Sequence, residues 1–171
     1  MATFGYTSKG ATANTTEVRG NSYLAPGDGT ITDVSIYIYN NTGSSKNVSV
    51  GIFLPDANHA PDTYLSGGSN LAVADAFDGW KTGSGFSESV TNGTEYNLVA
   101  QKNATTNLSY YFDSSSPGID YYTGKGASWT YSKWENNSNY FVSSPGAIRF
   151  SIYATYTPGG GGATRRIFNI S

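Results

Sequence analysis

Hydrophobic and polar residues alternate along much of the chain with a period of two. In "ITDVSIYIY", Val34, Ile36 and Ile38 fall on one side, while Ser35, Tyr37 and Tyr39 fall on the other. In "VSVGIFL", Val48, Val50, Ile52 and Leu54 repeat the pattern. Successive side chains of an extended strand point to opposite faces, so each run reads as a strand with one core face and one wet face. The intervening "NNTGSSKN" has turn composition and predicts that the two runs pair as a hairpin. Near the end, Ile148, Phe150, Ile152, Ala154 and Tyr156 alternate with Arg149, Ser151, Tyr153 and Thr155. This predicts a closing strand that is apolar on one face and solvated on the other.

Further strands are predicted at "NLAVADAF", "EYNLVAQ", "LSYYF" and "YFV", separated by turn signals in "SGG", "TNGT" and "SSSPG". No segment sustains a helical period. Short strands divided by polar turns imply an all-β antiparallel sandwich, of jelly-roll type. The expected division is a sandwich over residues 1–158, a glycine hinge over 159–162 and a C-terminal docking arm over 163–171.

Composition narrows the function. The 171 residues suffice for one domain with its own core. Charged residues are 13% of the chain and the net charge is −2, so no broad positive field exists to hold nucleic acid or an anionic membrane surface. No stretch approaches the roughly 20 apolar residues of a membrane-spanning helix, and "MATFGYTSKG" has neither the charged nor the apolar region of a secretion signal. Synthesis inside the cell is expected, with export by assembly into a particle allowed. Cysteine is absent, which removes disulfides, thiolate metal sites and thiol nucleophiles.

The one histidine, His59, lies in the turn "PDANHAP" with no orienting carboxylate or nucleophile identifiable beside it in sequence. It reads as a solvated turn residue, and catalytic residues are expected to be none. Asp56, Asn58 and Asp62 in that turn, and Asp75 and Asp78 in "ADAFDGW", carry oxygen ligands but lack the glycine and terminal glutamate of a Ca²⁺ loop. Turn capping by the Asx side chains is the expectation, with a Ca²⁺ clip the one cofactor alternative and no other metal site. The four glycines at 159–162 follow a strand, but no helix or lysine follows them as a phosphate loop requires.

Aromatic residues make up 15% of the chain and crowd the interval from Tyr110 to Trp134. Tyr121, Tyr122, Trp129, Tyr131 and Trp134 are the candidate contact face. Tyrosine and tryptophan suit a protein interface, and flat rings flanked by polar groups also suit a glycan. Asn-x-Ser/Thr sequons occur at Asn14, Asn40, Asn47, Asn92, Asn103, Asn107, Asn136 and Asn169, and glycosylation would place them on surface loops.

Past the glycines, "ATRRIFNIS" sets Arg166, Phe168 and Ile170 on one side of an extended chain and Ile167, Asn169 and Ser171 on the other. A flexible hinge followed by such a segment predicts an arm that adds to a partner's open sheet edge, with Arg165, Arg166, Ile167, Phe168 and Ile170 making the contacts.

The succession "VRGNSYLAPGDGTITDVSIYI", "VSVGIFLPDANHAPDTYLSGG", a "DGW" turn, "GTEYNLVAQ" and "IRFSIYATYTP" resembles the choice-of-anchor (R type) β-sandwich family of bacterial surface and phage structural proteins, over about residues 4 to 158. The chain departs from that pattern at Asn97, where a bulky aromatic often stands. The resemblance implies a fold and a non-enzymatic role. Two functions follow as expectations. The first is a decoration or accessory protein on the surface of a phage or virus particle, held to other subunits through its arm and one sandwich face. The second is an extracellular carbohydrate-binding or adhesion module of a secreted bacterial protein, which would bind cell-surface glycan.

Overall fold

The computed structural model describes residues 1–16, 18–104, 106–114, 121–124, 131, 134, 141–144 and 148–159, with 121–124 and 141–144 described by their backbone. All regular structure among them is strand: β1 (Ala2–Gly5), β2 (Thr12–Asn14), β3 (Val18–Leu24), β4 (Gly29–Asn40), β5 (Lys46–Pro55), β6 (Pro61–Val73), β7 (Asp78–Val90), β8 (Glu95–Lys102), β9 (Leu108–Asp113), β10 (Tyr121–Gly124), β11 (Phe141–Ser144), β12 (Arg149–Phe150) and β13 (Ile152–Pro158). Two antiparallel sheets pack face to face as a β-sandwich. Sheet A has the order β1-β13-β4-β9-β12, with β2 on β9 and β7 on β4; sheet B has the order β11-β10-β3-β8-β5-β6.

The predicted apolar rows form the core. Ile31, Val34, Ile36 and Ile38 of β4, Phe150 of β12, and Ile152 and Ala154 of β13 meet Val48, Val50 and Ile52 of β5 and Leu98 and Ala100 of β8; the predicted closing strand is thus two strands that part at Ser151. Ile31 and Val34 both point inward because Thr32 is an extra residue of β4 against β13, where Asp33 pairs with Thr155 and Ile31 with Tyr156, and it resets the alternation.

The expected hairpin of "ITDVSIYIY" with "VSVGIFL" does not form. β4 pairs with β7, β9 and β13, and β5 pairs with β6 and β8. Each run has only one fully apolar row, and burying both rows requires them to face each other across the core; the turn between them therefore crosses from one sheet to the other. The "DGW" turn is corrected too: Asp78 opens β7, and the turn lies just before it, where Phe77 N donates to Ala74 O at 3.3 Å and Ala76 is left-handed at φ 57°. The strand read through "NLAVADAF" accordingly ends at Val73.

Sheet A is forked. On one side β4 pairs with β7 along most of its length; on the other it pairs with β13 from Gly29 to Ile36 and with β9 from Ile38 to Asn40. Ser151 stands where the prongs part. Its N donates to Tyr111 O at 2.9 Å, its O accepts from Tyr37 N at 2.9 Å, and its Oγ accepts from Gly10 N at 2.8 Å. Ser151 is thus wholly buried, not on a wet face as its place in the alternation predicts. The N-terminal segment closes the fork from outside: β1 follows β13, Tyr6 N donates to Ile152 O at 2.8 Å, and β2 follows β9. Gly10 makes this approach feasible, since a Cβ there would lie 2.3 Å from the Phe112 backbone.

Candidate functional site

The outward row of sheet A is aromatic around the fork. Tyr37 stands directly opposite Trp80 of β7, with ring centroids 5.3 Å apart and planes at 82°. Across the fork Tyr111 meets Tyr37 at 5.4 Å and 79°, and Tyr153 of β13 meets Trp80 at 4.9 Å and 67°. Tyr111, Tyr37, Trp80 and Tyr153 therefore form one continuous row of edge-to-face contacts, each ring half-buried. Beside it the Ser35 and Thr82 hydroxyls are 2.8 Å apart.

Lys9, carried by the N-terminal segment, caps one end of this row. Its Nζ lies 4.4 Å from the Tyr111 ring centroid and 4.9 Å from that of Tyr37, and it pairs with Asp78 at 3.0 Å. The Asp78 hydrogen bond, first among several effects, holds the Lys9 pKa above its ordinary value. A second tether lies nearby. Tyr6 donates its hydroxyl to Asp113 Oδ2, Ala11 N donates to Asp113 Oδ1 at 2.8 Å, and the Arg149 guanidinium sits 4.0 Å from the Tyr6 ring centroid. The Tyr6 bond is the chief cause lowering the Asp113 pKa, and the same bond raises that of Tyr6.

None of these four rings was marked as a site by sequence reasoning. Tyr37 and Tyr153 sit on the faces read as wet, Tyr111 belongs to a predicted strand, and Trp80 belongs to the supposed turn. Their signal was available: aromatic residues recurring at outward positions of alternating strands.

The aromatic face that sequence did predict is associated with the other sheet. Trp134 lies against the outside of sheet B, 2.8 Å from where a Gly51 Cβ would be, and its Nε1 donates to Ser49 Oγ at 3.1 Å. It is parallel to Tyr64 at 6.2 Å and tilted on Phe53 at 5.8 Å. Tyr131 donates its hydroxyl to Asn70 Oδ1 at 2.6 Å, and burial pushes its pKa up to about 12. Both rings are half-buried against their own chain. The side chains of Tyr121 and Tyr122 and all of Trp129 lie outside the described residues, as do Arg165, Arg166, Ile167, Phe168 and Ile170 of the predicted arm.

His59 does have a carboxylate beside it, contrary to the sequence reading. Its Nδ1 is 2.8 Å from Glu95 Oε2, brought there from β8, 36 residues away in sequence. The Ser22 hydroxyl donates to the same carboxylate. Activation of a nucleophile needs the imidazole between hydroxyl and carboxylate, whereas here the carboxylate is in the middle. The neighbouring acids act as turn caps. Asp56 Oδ1 accepts from Asn58 N at 2.7 Å and Ala60 N at 2.8 Å, and Asp75 Oδ1 accepts from Gly43 N at 2.9 Å. Among the described residues no three His, Cys, Asp or Glu side chains cluster as a metal site. One sequon is not on the surface: Asn40 is wholly buried, and its Nδ2 donates to Ser44 O, Val73 O and Ala74 O.

Comparison of the chain with protein-family models, with curated proteins and with solved structures finds no match.

Proposed function

We propose that this protein is a non-enzymatic decoration or accessory protein of a phage or virus particle, which meets neighbouring subunits through the outer face of sheet A. The observation that carries the reading is the row Tyr111–Tyr37–Trp80–Tyr153. A sandwich core needs only inward side chains, and this core is complete without these four rings. Tyrosine and tryptophan with little freedom left to lose are the residues that anchor protein interfaces. Edge-to-face packing and the Lys9 cap restrict these rings before any partner arrives. The C-terminal arm, with Ile167, Phe168 and Ile170 as its apolar contacts, acts as a second attachment. The strand before it, β13, is complete at Pro158, and Gly159 N donates to Asp28 O at 2.8 Å.

The test starts from purified virions of the source. Mass spectrometry and electron cryomicroscopy are expected to find the chain on the particle surface. Recombinant protein should rebind particles stripped of it, and Trp80→Ser should rebind at least about fivefold more weakly, as loss of an anchoring aromatic costs about 1 kcal/mol or more. Absence of the chain from virions, or undiminished rebinding by Trp80→Ser, rejects the reading.

A further inference from the structure

Sheet A ends on one side in an open edge. β7 pairs with β4 and, among the described residues, with no other strand, so its outer backbone groups are a template for a further strand. Past the left-handed Gly85 at φ 89°, Phe86 and Val90 turn into the core. Glu88, between them and opposite the inward Ile31, shares their side. It is thus a half-buried carboxylate at the rim of an apolar core, and no cation pairs with it among the described residues. A charge drawn partly out of water is stabilised by an opposite charge beside it.

We propose that the chain's own C-terminal segment docks on this edge, with residues 164–168 antiparallel to residues 86–90 of β7. The exit of the chain sets the direction. β13 and β7 both run antiparallel to β4, and Pro158, Gly29 and Val90 stand in line across the end of the sheet. A chain that leaves Pro158 and turns back along β7 therefore runs antiparallel to it. The Asp28 turn, which accepts from Gly159 N, also accepts from Asn92 N just past β7. Crossing β4 and β7 to the open edge takes three strand spacings, about 14 Å. Residues 159–164 supply five residue steps, about 17 Å, and their four glycines accommodate the bends. With Thr164 opposite Val90, Arg166 stands opposite Glu88 and Phe168 opposite Phe86, so the inward row gains a cation for Glu88 and an aromatic ring over Phe86. Arg165 and Ile167 then fall outward beside the exposed Ser89 and Ser87. Arg165 opposite Glu88 would shorten the crossing to four steps, about 14 Å, with no slack. Docked in this way, the segment must leave β7 before it can attach to a neighbouring subunit; that release rests on the assembly reading, whereas the docking does not.

The chain has no cysteine, so an introduced disulfide reports the contact. Full-length protein carrying both Ser87→Cys and Ile167→Cys sets two thiols directly opposite each other in the proposed register, at a separation a disulfide can span. The control combines Ile167→Cys with Thr3→Cys. Thr3 is exposed on β1, one strand from β13 and so nearer the exit than Ser87, and an undocked segment would reach it at least as fast. In dilute protein under a glutathione redox buffer, mass spectrometry of unreduced digests should find the Ser87 pair closing within one chain at least about tenfold faster than the control. Arg166→Glu should slow that closure severalfold, and Glu88→Arg added to it should restore the rate. The proposal fails if the two pairs close at similar rates, if the Ser87 disulfide joins two chains instead of closing within one, or if Arg166→Glu has no effect or Glu88→Arg fails to reverse it. None of these outcomes bears on the rebinding of Trp80→Ser, which tests the assembly face separately.

Discussion

Replacing Ser151 by alanine tests how the N-terminal segment is held in the fork. The side chain makes one described bond, accepting from Gly10 N at 2.8 Å, in a place where Ser151 is wholly buried and Gly10 is buried too. The two backbone bonds of Ser151, to Tyr111 and Tyr37, survive the change. What remains is a buried amide without an acceptor, at a cost of about 1–3 kcal/mol. Loss of the serine's own desolvated hydroxyl offsets part of this, leaving a net of about 1–2 kcal/mol. For a chain of this size each kcal/mol lowers the melting temperature by roughly 2–4 °C, so a fall of roughly 2–8 °C is expected in calorimetry. Hydrogen exchange gives a second readout. Opening of the segment should become about 5–30-fold more frequent at the Gly10 and Tyr6 amides, and amides that exchange only by global unfolding should accelerate by the same factor. Unchanged exchange at Gly10 would refute the idea that this bond fastens the segment.

Asp113 should make the same attachment sensitive to acid. Its folded pKa is lowered, chiefly by the Tyr6 hydroxyl, so its contribution is complete above the ordinary aspartate pKa of about 3.9 and is lost as pH falls through the depressed value. An NMR titration should show the Ala11 amide shifting in that low window, and Asp113→Asn should abolish the step. At the other face, Gly51→Ala places a Cβ 2.8 Å from the Trp134 ring and should lift the indole off sheet B. The expected result is a red-shifted Trp134 emission, absent in a Trp134→Phe background, with a loss of about 1–3 kcal/mol from overpacking; an unshifted spectrum would mean that the ring does not rest on Gly51.

Much of the framework was legible in the sequence because it depends on local alternation. Val34, Ile36 and Ile38, Val48, Val50 and Ile52, and Phe150, Ile152 and Ala154 all point inward as the period-two pattern requires. An antiparallel sandwich then follows from physics, since several one-sided strands must bury their apolar faces against each other. The pattern does not contain pairing. Two strands with matching apolar rows can lie side by side or face to face, and β4 and β5 took the second arrangement. Weakly patterned strands escaped detection for a related reason. β7, "DGWKTGSGFSESV", is rich in glycine and serine, and it is held in place by β4 along its length more than by its own propensity.

The candidate sites show the same division. Sequence established that aromatics are plentiful, that His59 sits in a turn and that cysteine chemistry is absent, because composition and short spacings fix such properties. Only the tertiary structure decided which rings share a surface. Tyr37, Trp80, Tyr111 and Tyr153 come from four strands, and they meet because Ser151 splits sheet A and brings β9 and β13 to the same side of β4. Glu95 reaches His59, and Asn97 loses its water between Ser22 and Phe53, through the pairing of β8 with β3 and β5. Contacts of this kind depend on closing long loops, and the free energy that closes them comes from the whole core, so no local stretch of the chain encodes them.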